Sequence, residues 1–437
     1  MRVIPAAAVA AVAAIVAAPI VTAGCAGAQA RGLGSADGAA SVVPSNAVLF
    51  VAASTDVSSA QWHGIGEVLL QQLGRQSKLT WADDLKPALG DELDVAVLPG
   101  KEPEVVAFTQ PHDRGKLDAL AAKYSLQTRD VGGWTAVAKD TAALDAVANA
   151  TTTLAQSNLF GEAMNELPSG ALARAYANGG EAEQLIASLS GSAQTGAPDY
   201  RWAAAALVGS AHGLKLEGVA RAAGDAQHQL VPYSAALLDR VPAGVLAVAD
   251  FSIPPNGFGS AGTMPPQLEK LLGPIGSSLP SQLGAILGGE TAIYVRPGLP
   301  IPEVTLVTRP ADVDAAVKAL EGLVGGLPKP FGGLTLHHAT VGNDLVVSTS
   351  PGGIDDFRGA GPKLASDATF LEAKKLSGMP DQTTGFAYVN VKNVLPLLQL
   401  AGAAPPQGLP DLRTLAVYGG RAGADSRFTA FLEVGSS

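Results

Sequence analysis

The chain has one cysteine in 437 residues, Cys25, so no internal disulfide can brace the fold. Aromatic residues make up only 5 % of the composition, which leaves the core to aliphatic packing of Ala, Val and Leu. The only adjacent histidines are His337-His338, and neighbours on a strand point to opposite faces, so they cannot jointly hold a metal ion. The acidic pairs Asp83-Asp84, Asp91-Glu92 and Asp355-Asp356 lack the alternating ligands of a calcium loop. Gly133, Gly325-Gly326 and Gly332-Gly333 are not followed by the Lys-Ser/Thr step of a phosphate-binding loop, and no Gly-x-Ser-x-Gly elbow occurs. Gly209-Ser210-Ala211-His212-Gly213 has the wrong spacing for a nucleophile and reads as a hairpin turn. Nothing here nominates a catalytic residue, a cofactor or a metal ligand, and the chain reads as a non-enzyme. Its 29 basic residues against 39 acidic disfavour nucleic acid.

What is present begins at the N-terminus. Arg2 precedes an uncharged, Ala/Val/Ile-rich run from Val3 to Ile20, and Val21-Thr22-Ala23-Gly24 leads into Cys25. This resembles a bacterial lipoprotein signal peptide, with Thr22 where that motif usually carries Leu. The resemblance implies that residues 1–24 are removed and that the Cys25 thiol carries a diacylglyceryl group. The protein is then expected on the extracytoplasmic face of the cell membrane. Pro5 and Pro19 and the short leader argue against an uncleaved membrane span. Ala26–Val42 is Gly/Ala/Ser-rich without hydrophobic period, so residues 25–42 are expected to form a lipidated tether; such a coil spans about 20–25 Å. Loss of Arg2 leaves 28 basic residues against 39 acidic, a net charge of −11 that offers no attraction to anionic lipid head groups.

The body is written twice. Val43-Pro44 matches Val241-Pro242, and Leu89-Gly90-x-Glu92 matches Leu287-Gly288-x-Glu290, both at an offset of 198. Pro103-Glu104-Val105 matches Pro302-Glu303-Val304 at 199, Phe160-x-Glu162-Ala163 matches Phe370-x-Glu372-Ala373 at 210, and Ala175-Tyr176-x-Asn178 matches Ala387-Tyr388-x-Asn390 at 212. Chance matches would scatter, whereas this offset only rises. The reading is α+β: two tandem repeats, 43–221 and 241–437, each a largely antiparallel sheet with helices, packed with approximate two-fold symmetry. Residues 222–240 join them, and the apolar Tyr233–Leu238 stretch predicts a docked connector. The rise in offset predicts one additional hairpin in the second copy near Leu336–Asp344. Pro111 and Pro310 are placed in first helical turns, and Thr369-Phe370-Leu371-Glu372 reads as a capping box.

The Val43-Pro44-x-x-Ala47-x-x-Phe50-Val51 opening, the Leu89-Gly90-x-Glu92 step and the Tyr176-x-Asn178 strand resemble a family of bacterial exported proteins, domain of unknown function 3352. The resemblance implies the architecture of nearly the whole mature chain and no activity.

Glu92 and Glu290 recur in both copies, as do Tyr176/Asn178 and Tyr388/Asn390; a residue that one architecture needs twice is read as structural. All four tryptophans lie in the first copy, where Trp62, Trp81, Trp134 and Trp202 face Ser260, Leu279, Leu334 and Thr414. They are either core filling or an aromatic surface. For the latter Trp62 and Trp81, flanking a helical segment over 64–75, are the candidates, and the 253–266 loop of the second copy is the candidate cover for a groove. The expected function is a lipid-anchored binding or scaffold module whose partner is an envelope protein or a small apolar ligand. The alternatives are an unrecognised envelope hydrolase and a carrier whose apolar ligand sits between the sheets of both copies.

Overall fold

A computed structural model describes residues 38–57, 59–62, 65–66, 80–100, 103–179, 200–223, 231–254, 279–298, 302–326, 336–400, 402 and 411–435. In chain order the first half contributes β1 (Leu49–Ser54), β2 (Glu92–Leu98), β3 (Glu104–Thr109), α1 (Arg114–Lys123), β4 (Gln127–Val131), β5 (Trp134–Ala138), α2 (Thr141–Ala148), α3 (Asn158–Asn165), β6 (Ala173–Asn178), β7 (Tyr200–Gly209) and β8 (Gly213–Ala222). The connector carries β9 (Tyr233–Ser234). The second half follows with β10 (Ala247–Ile253), α4 (Leu279–Leu287), β11 (Gly289–Arg296), β12 (Glu303–Pro310), α5 (Val313–Gly326), β13 (His337–Val341) and β14 (Asp344–Ser348). It ends with α6 (Pro351–Arg358), α7 (Ala368–Ser377), β15 (Gln382–Thr383), β16 (Gly385–Val389), α8 (Val391–Leu400), β17 (Leu412–Ala422) and β18 (Asp425–Val434).

Sixteen of these strands form one antiparallel sheet in the order β13-β14-β12-β11-β10-β16-β17-β18-β8-β7-β6-β1-β2-β3-β5-β4. The halves therefore do not meet as separate lobes. β8 and β18 pair directly, from Arg221↔Asp425 to Gly213↔Glu433, and backbone hydrogen bonds carry the sheet from one half into the other. β1 and β2 are buried on both faces and, apart from Asp94, apolar there (Leu-Phe-Val-Ala-Ala and Leu-Asp-Val-Ala-Val-Leu), because helices cover both sides. On one face α2 and α3 pack over Phe50, Val106, Phe108, Trp134 and Tyr176. On the other, a π-helical turn (Trp81–Leu85), a single α-turn (Lys86–Ala88) and α1 cover Val51, Leu93 and Val95.

Several expectations need correction. The hairpin β13–β14 is not additional: β4–β5, turning at Gly132-Gly133, holds the same place beside β3 that β13–β14 holds beside β12. The extra residues of the second half lie upstream, where α5 runs to 14 residues against 10 in α1. Trp134 consequently stands opposite Asp344, the first residue of β14, and not Leu334. The predicted tether is also shorter at its end, because Gly38–Ser41 form a 3-10 turn with Ala39 and Ala40 fully buried. Pro111 and Pro310 precede their helices, which begin after Asp113 and Asp312. Asp113 accepts the Lys116 N–H and Asp312 the Ala315 N–H, each at 3.0 Å. The α7 cap is Asp367, bonded to the Thr369 and Phe370 N–H groups, two residues before the expected box. The described part of the connector, residues 231–240, is docked, with β9 pairing with β15.

Candidate functional site

The β2–β3–β5 face of the first half and its covering turns leave an apolar cavity of about 70 Å³. Leu93 of β2, Val105, Ala107 and Thr109 of β3 and Val137 of β5 form its floor. Leu85 and Leu89 on the π- and α-turns, Leu117, Leu120 and Ala121 on α1, and Leu126 form its walls and roof. The 3.6-residue period of α1 explains its share, since positions 117, 120 and 121 fall on one face. Thr80 starts the roof: its side chain accepts the Asp83 N–H at 3.3 Å, and Lys116 Nζ donates to the Asp83 carbonyl at 3.1 Å, tying roof to helix. Thr109 is the single polar residue of the lining, and its hydroxyl already accepts the Gly90 N–H at 3.1 Å. The cavity can thus take an apolar group and offers nothing to a charged one. At the matching place beside β11, β12 carries Leu306 where β3 carries Ala107. Leu306 packs with Leu320 of α5 and Val347 of β14. On the covering helix the exchange runs the other way, from Leu117 to Ala316, so the two halves distribute bulk differently between floor and helix.

Two buried carboxylates hold the chain where it runs into each half. Asp94 is fully buried and accepts the Ala39 N–H at 2.6 Å; Glu92 lies beside it, hydrogen-bonded to it. Burial and then the neighbouring Glu92 charge push the Asp94 carboxyl well above its ordinary range. Gly38 is required here: its φ is +44°, and a Cβ would lie 2.6 Å from Glu92 Oε1 and 2.7 Å from Asp94 Oδ2. In the second half Asp250, 1 % exposed, accepts a hydrogen bond from the Tyr233 hydroxyl of β9, and Glu290 accepts the Leu237 N–H at 2.6 Å. Burial raises Asp250 to about 7; the Tyr233 hydroxyl opposes that rise and the Glu290 charge adds to it. Asp94 stands opposite Ala52, and Asp250 opposite Ala292, so each half carries its carboxylate on a different strand of the same pair.

A third cluster bridges the β8–β18 seam. Arg221 makes two 2.8 Å bonds to Asp425, lies 3.4 Å from Glu162 and 5.0 Å over the Trp202 ring, while Arg427 pairs with Glu166. The bond and charge of Arg221 hold Asp425 below the usual carboxylate range.

The sequence candidates fall in different places. Trp62 is 3 % exposed in a cluster with Leu172, Leu207 and Leu214, so it fills core and presents no aromatic surface. Trp81 is half-buried against Leu85, Leu89 and Val95, next to the cavity. Glu290 accepts the Leu237 N–H of the incoming chain, whereas Glu92 lies against Asp94. Tyr176 and Tyr388 each meet a phenylalanine edge-on, Phe160 and Phe370, at 5.3 Å. Ser210 closes the β7–β8 turn, accepting the Gly213 N–H at 3.1 Å. His337 and His338 lie on β13, with His338 3.9 Å from Glu321. Among the described residues no three His, Cys, Asp or Glu side chains come together as a metal site, and no helix is long and apolar enough to cross a membrane. Cys25, the segment over 64–75 apart from residues 65 and 66, and residues 255–266 of the loop lie outside the described residues. The cavity residues were missed because each reads as ordinary core; the signal was the small Ala107 against Leu306.

The chain matches no protein-family model and no curated protein, so the resemblance to domain of unknown function 3352 rests on the motifs alone.

Proposed function

We propose that this chain is a lipid-anchored, extracytoplasmic binding protein that takes an apolar ligand into the cavity beneath Trp81–Lys123. The carrying observation is the cavity, whose single hydroxyl is already engaged by the backbone. It sits within the first half, unlike a carrier site shared by both sheets. Cys25 provides the anchor, the leader 1–24 is removed, and the described body starts at Gly38, close behind the anchor. We further propose that the halves are tandem copies related by an approximate two-fold axis, with the architecture of the family named above. Four observations support this. Strand order reads the same outward in both directions from the seam. The 3-10 turns Gly38–Ser41 and Ala236–Asp239 recur at an offset of 198. The bridges Pro44↔Thr153 and Pro242↔Lys363 recur as well. At the offset of 212 that relates β8 to β18, the pair Glu217↔Thr429 maps onto itself, as a pair on such an axis would.

Labelling cells with a fatty-acid analogue tests the anchor: label is expected on the wild type and absent from Cys25→Ser. Label persisting on the variant overturns it. The binding reading is tested by xenon, which enters dry apolar cavities. Methyl resonances of Leu85, Leu89 and Val137 are expected to shift under xenon pressure. Unmoved lining methyls would refute an accessible apolar site.

A further inference from the structure

Resting on the binding reading, we infer that the cavity selects the end of a slender aliphatic chain and rejects an aromatic ring. The cavity measures about 70 Å³. An apolar protein cavity that holds benzene measures about 150 Å³. A six-membered ring therefore requires the walls to part, whereas a run of methylenes can thread the available space. The lining suits such a chain. Apart from Thr109 it consists of leucine, valine and alanine side chains, with no aromatic face among them to stack on a ring. The Thr109 hydroxyl accepts from the Gly90 N–H and turns its own O–H toward the Glu92 carbonyl 3.5 Å away, so the lining offers a polar head no ready partner and the head of the ligand stays outside. The floor differs between the halves. Ala107 leaves space above β3, whereas Leu306 fills the matching place over β12 together with Leu320.

The same chemistry, an unbranched hydrocarbon end, is presented by a free fatty acid and by a phospholipid acyl chain. The experiment uses the full mature chain with methyl-labelled Leu and Val, titrated with n-alkanols from propanol to octanol and with benzene. Shifts are expected at Leu85, Leu89 and Val137. Burial of one methylene is worth about 0.8 kcal/mol, so affinity rises about fourfold with each added carbon and levels off once the cavity is full. Benzene shifts no lining methyl, and Ala107→Leu, which copies the floor of the second half, abolishes the alkanol response. Ala121→Leu fills the space from the helix side and serves where the first variant fails to fold. Octanoate and vesicles of a neutral phospholipid, run in parallel, identify the source: whichever moves the lining methyls carries the natural chain. If xenon enters but benzene binds as tightly as the alkanols, the selection is wrong while the apolar site stands. If both filled variants fold and still bind alkanols, the cavity is not where the chain goes. If neither xenon nor any alkanol shifts the lining, the binding reading itself falls.

Discussion

Asp250→Asn tests whether a buried carboxylate limits the stability of the second half at neutral pH. The carboxyl is 1 % exposed, accepts the Tyr233 hydroxyl, and shares its surroundings with Glu290, which Arg309 approaches to 3.6 Å. In the unfolded chain it ionises at its ordinary 3.8; folded, burial holds the proton up to about 7. Below 3.8 both states are protonated and the group favours folding in full. Between 3.8 and about 7 the unfolded chain releases its proton first, so stability is lost as pH rises. Above about 7 the loss is complete. At 1.36 kcal/mol per pKa unit this amounts to about 4 kcal/mol. Asparagine cannot ionise and still accepts from Tyr233. Its amide nitrogen replaces Oδ2, which has no hydrogen-bond partner among the described residues, and burying that unsatisfied donor costs about 1–3 kcal/mol. The amide cost is the same at every pH, whereas the wild type loses stability only as pH rises, so the difference between the two proteins changes sign. Wild type is therefore expected to be the more stable protein at pH 4.5 and the variant at pH 8, with the curves crossing in between. Urea unfolding at half-unit pH steps measures this, with equal m values confirming that the same surface is exposed. Parallel curves for the two proteins would refute a raised Asp250 pKa as the cause.

Two further substitutions probe the frame. Gly90→Ala places a Cβ 2.0 Å from the Gln110 carbonyl oxygen, a backbone atom that cannot swing away, and is expected to destabilise by about 3 kcal/mol in thermal or urea unfolding. An unchanged midpoint would show that the chain relaxes there freely. At the seam, a double-mutant cycle of Arg221→Ala with Asp425→Ala is expected to give a coupling of about 1–3 kcal/mol at pH 7. Because Arg221 depresses the Asp425 pKa, that stability is fully present above about 4 and is lost as pH falls further. A coupling near zero at pH 7 would mean that the backbone pairing alone holds the halves together.

The features that could be read from the sequence are those that one strand or turn writes into its own residues. Val43-Pro44 and Val241-Pro242 recur because each proline bridges to a residue far along its own half, and the local pattern carries that need. β4, by contrast, went unseen. Gln-Thr-Arg-Asp-Val lies at the sheet edge with one neighbour, so no buried face imposes alternation on it. The β8–β18 seam is made by backbone hydrogen bonds between strands about two hundred residues apart, and backbone pairing leaves no residue signature. The cavity is a matter of bulk withheld, and an alanine among leucines looks like any other core position until its neighbours are known.

The buried carboxylates show most clearly why register matters. Aligned at the offset of 198, Asp94 meets Ala292 and Asp250 meets Ala52, and each aspartate looks like a feature the other half lacks. The pairing reverses that conclusion. Ala52 lies opposite Asp94, and Ala292 lies opposite Asp250, so both halves place one carboxylate and one alanine at the same cross-strand position. Each carboxylate accepts from the segment that enters its half, Asp94 from the Ala39 N–H and Asp250 from the Tyr233 hydroxyl, and either strand can supply it provided the other leaves space. Residue-by-residue comparison counts two differences where the folded sheet has one site filled from two sides. The same logic separates the two floors: Ala107 and Leu306 are one position in the register with two volumes, and the smaller leaves the space in which a ligand can sit.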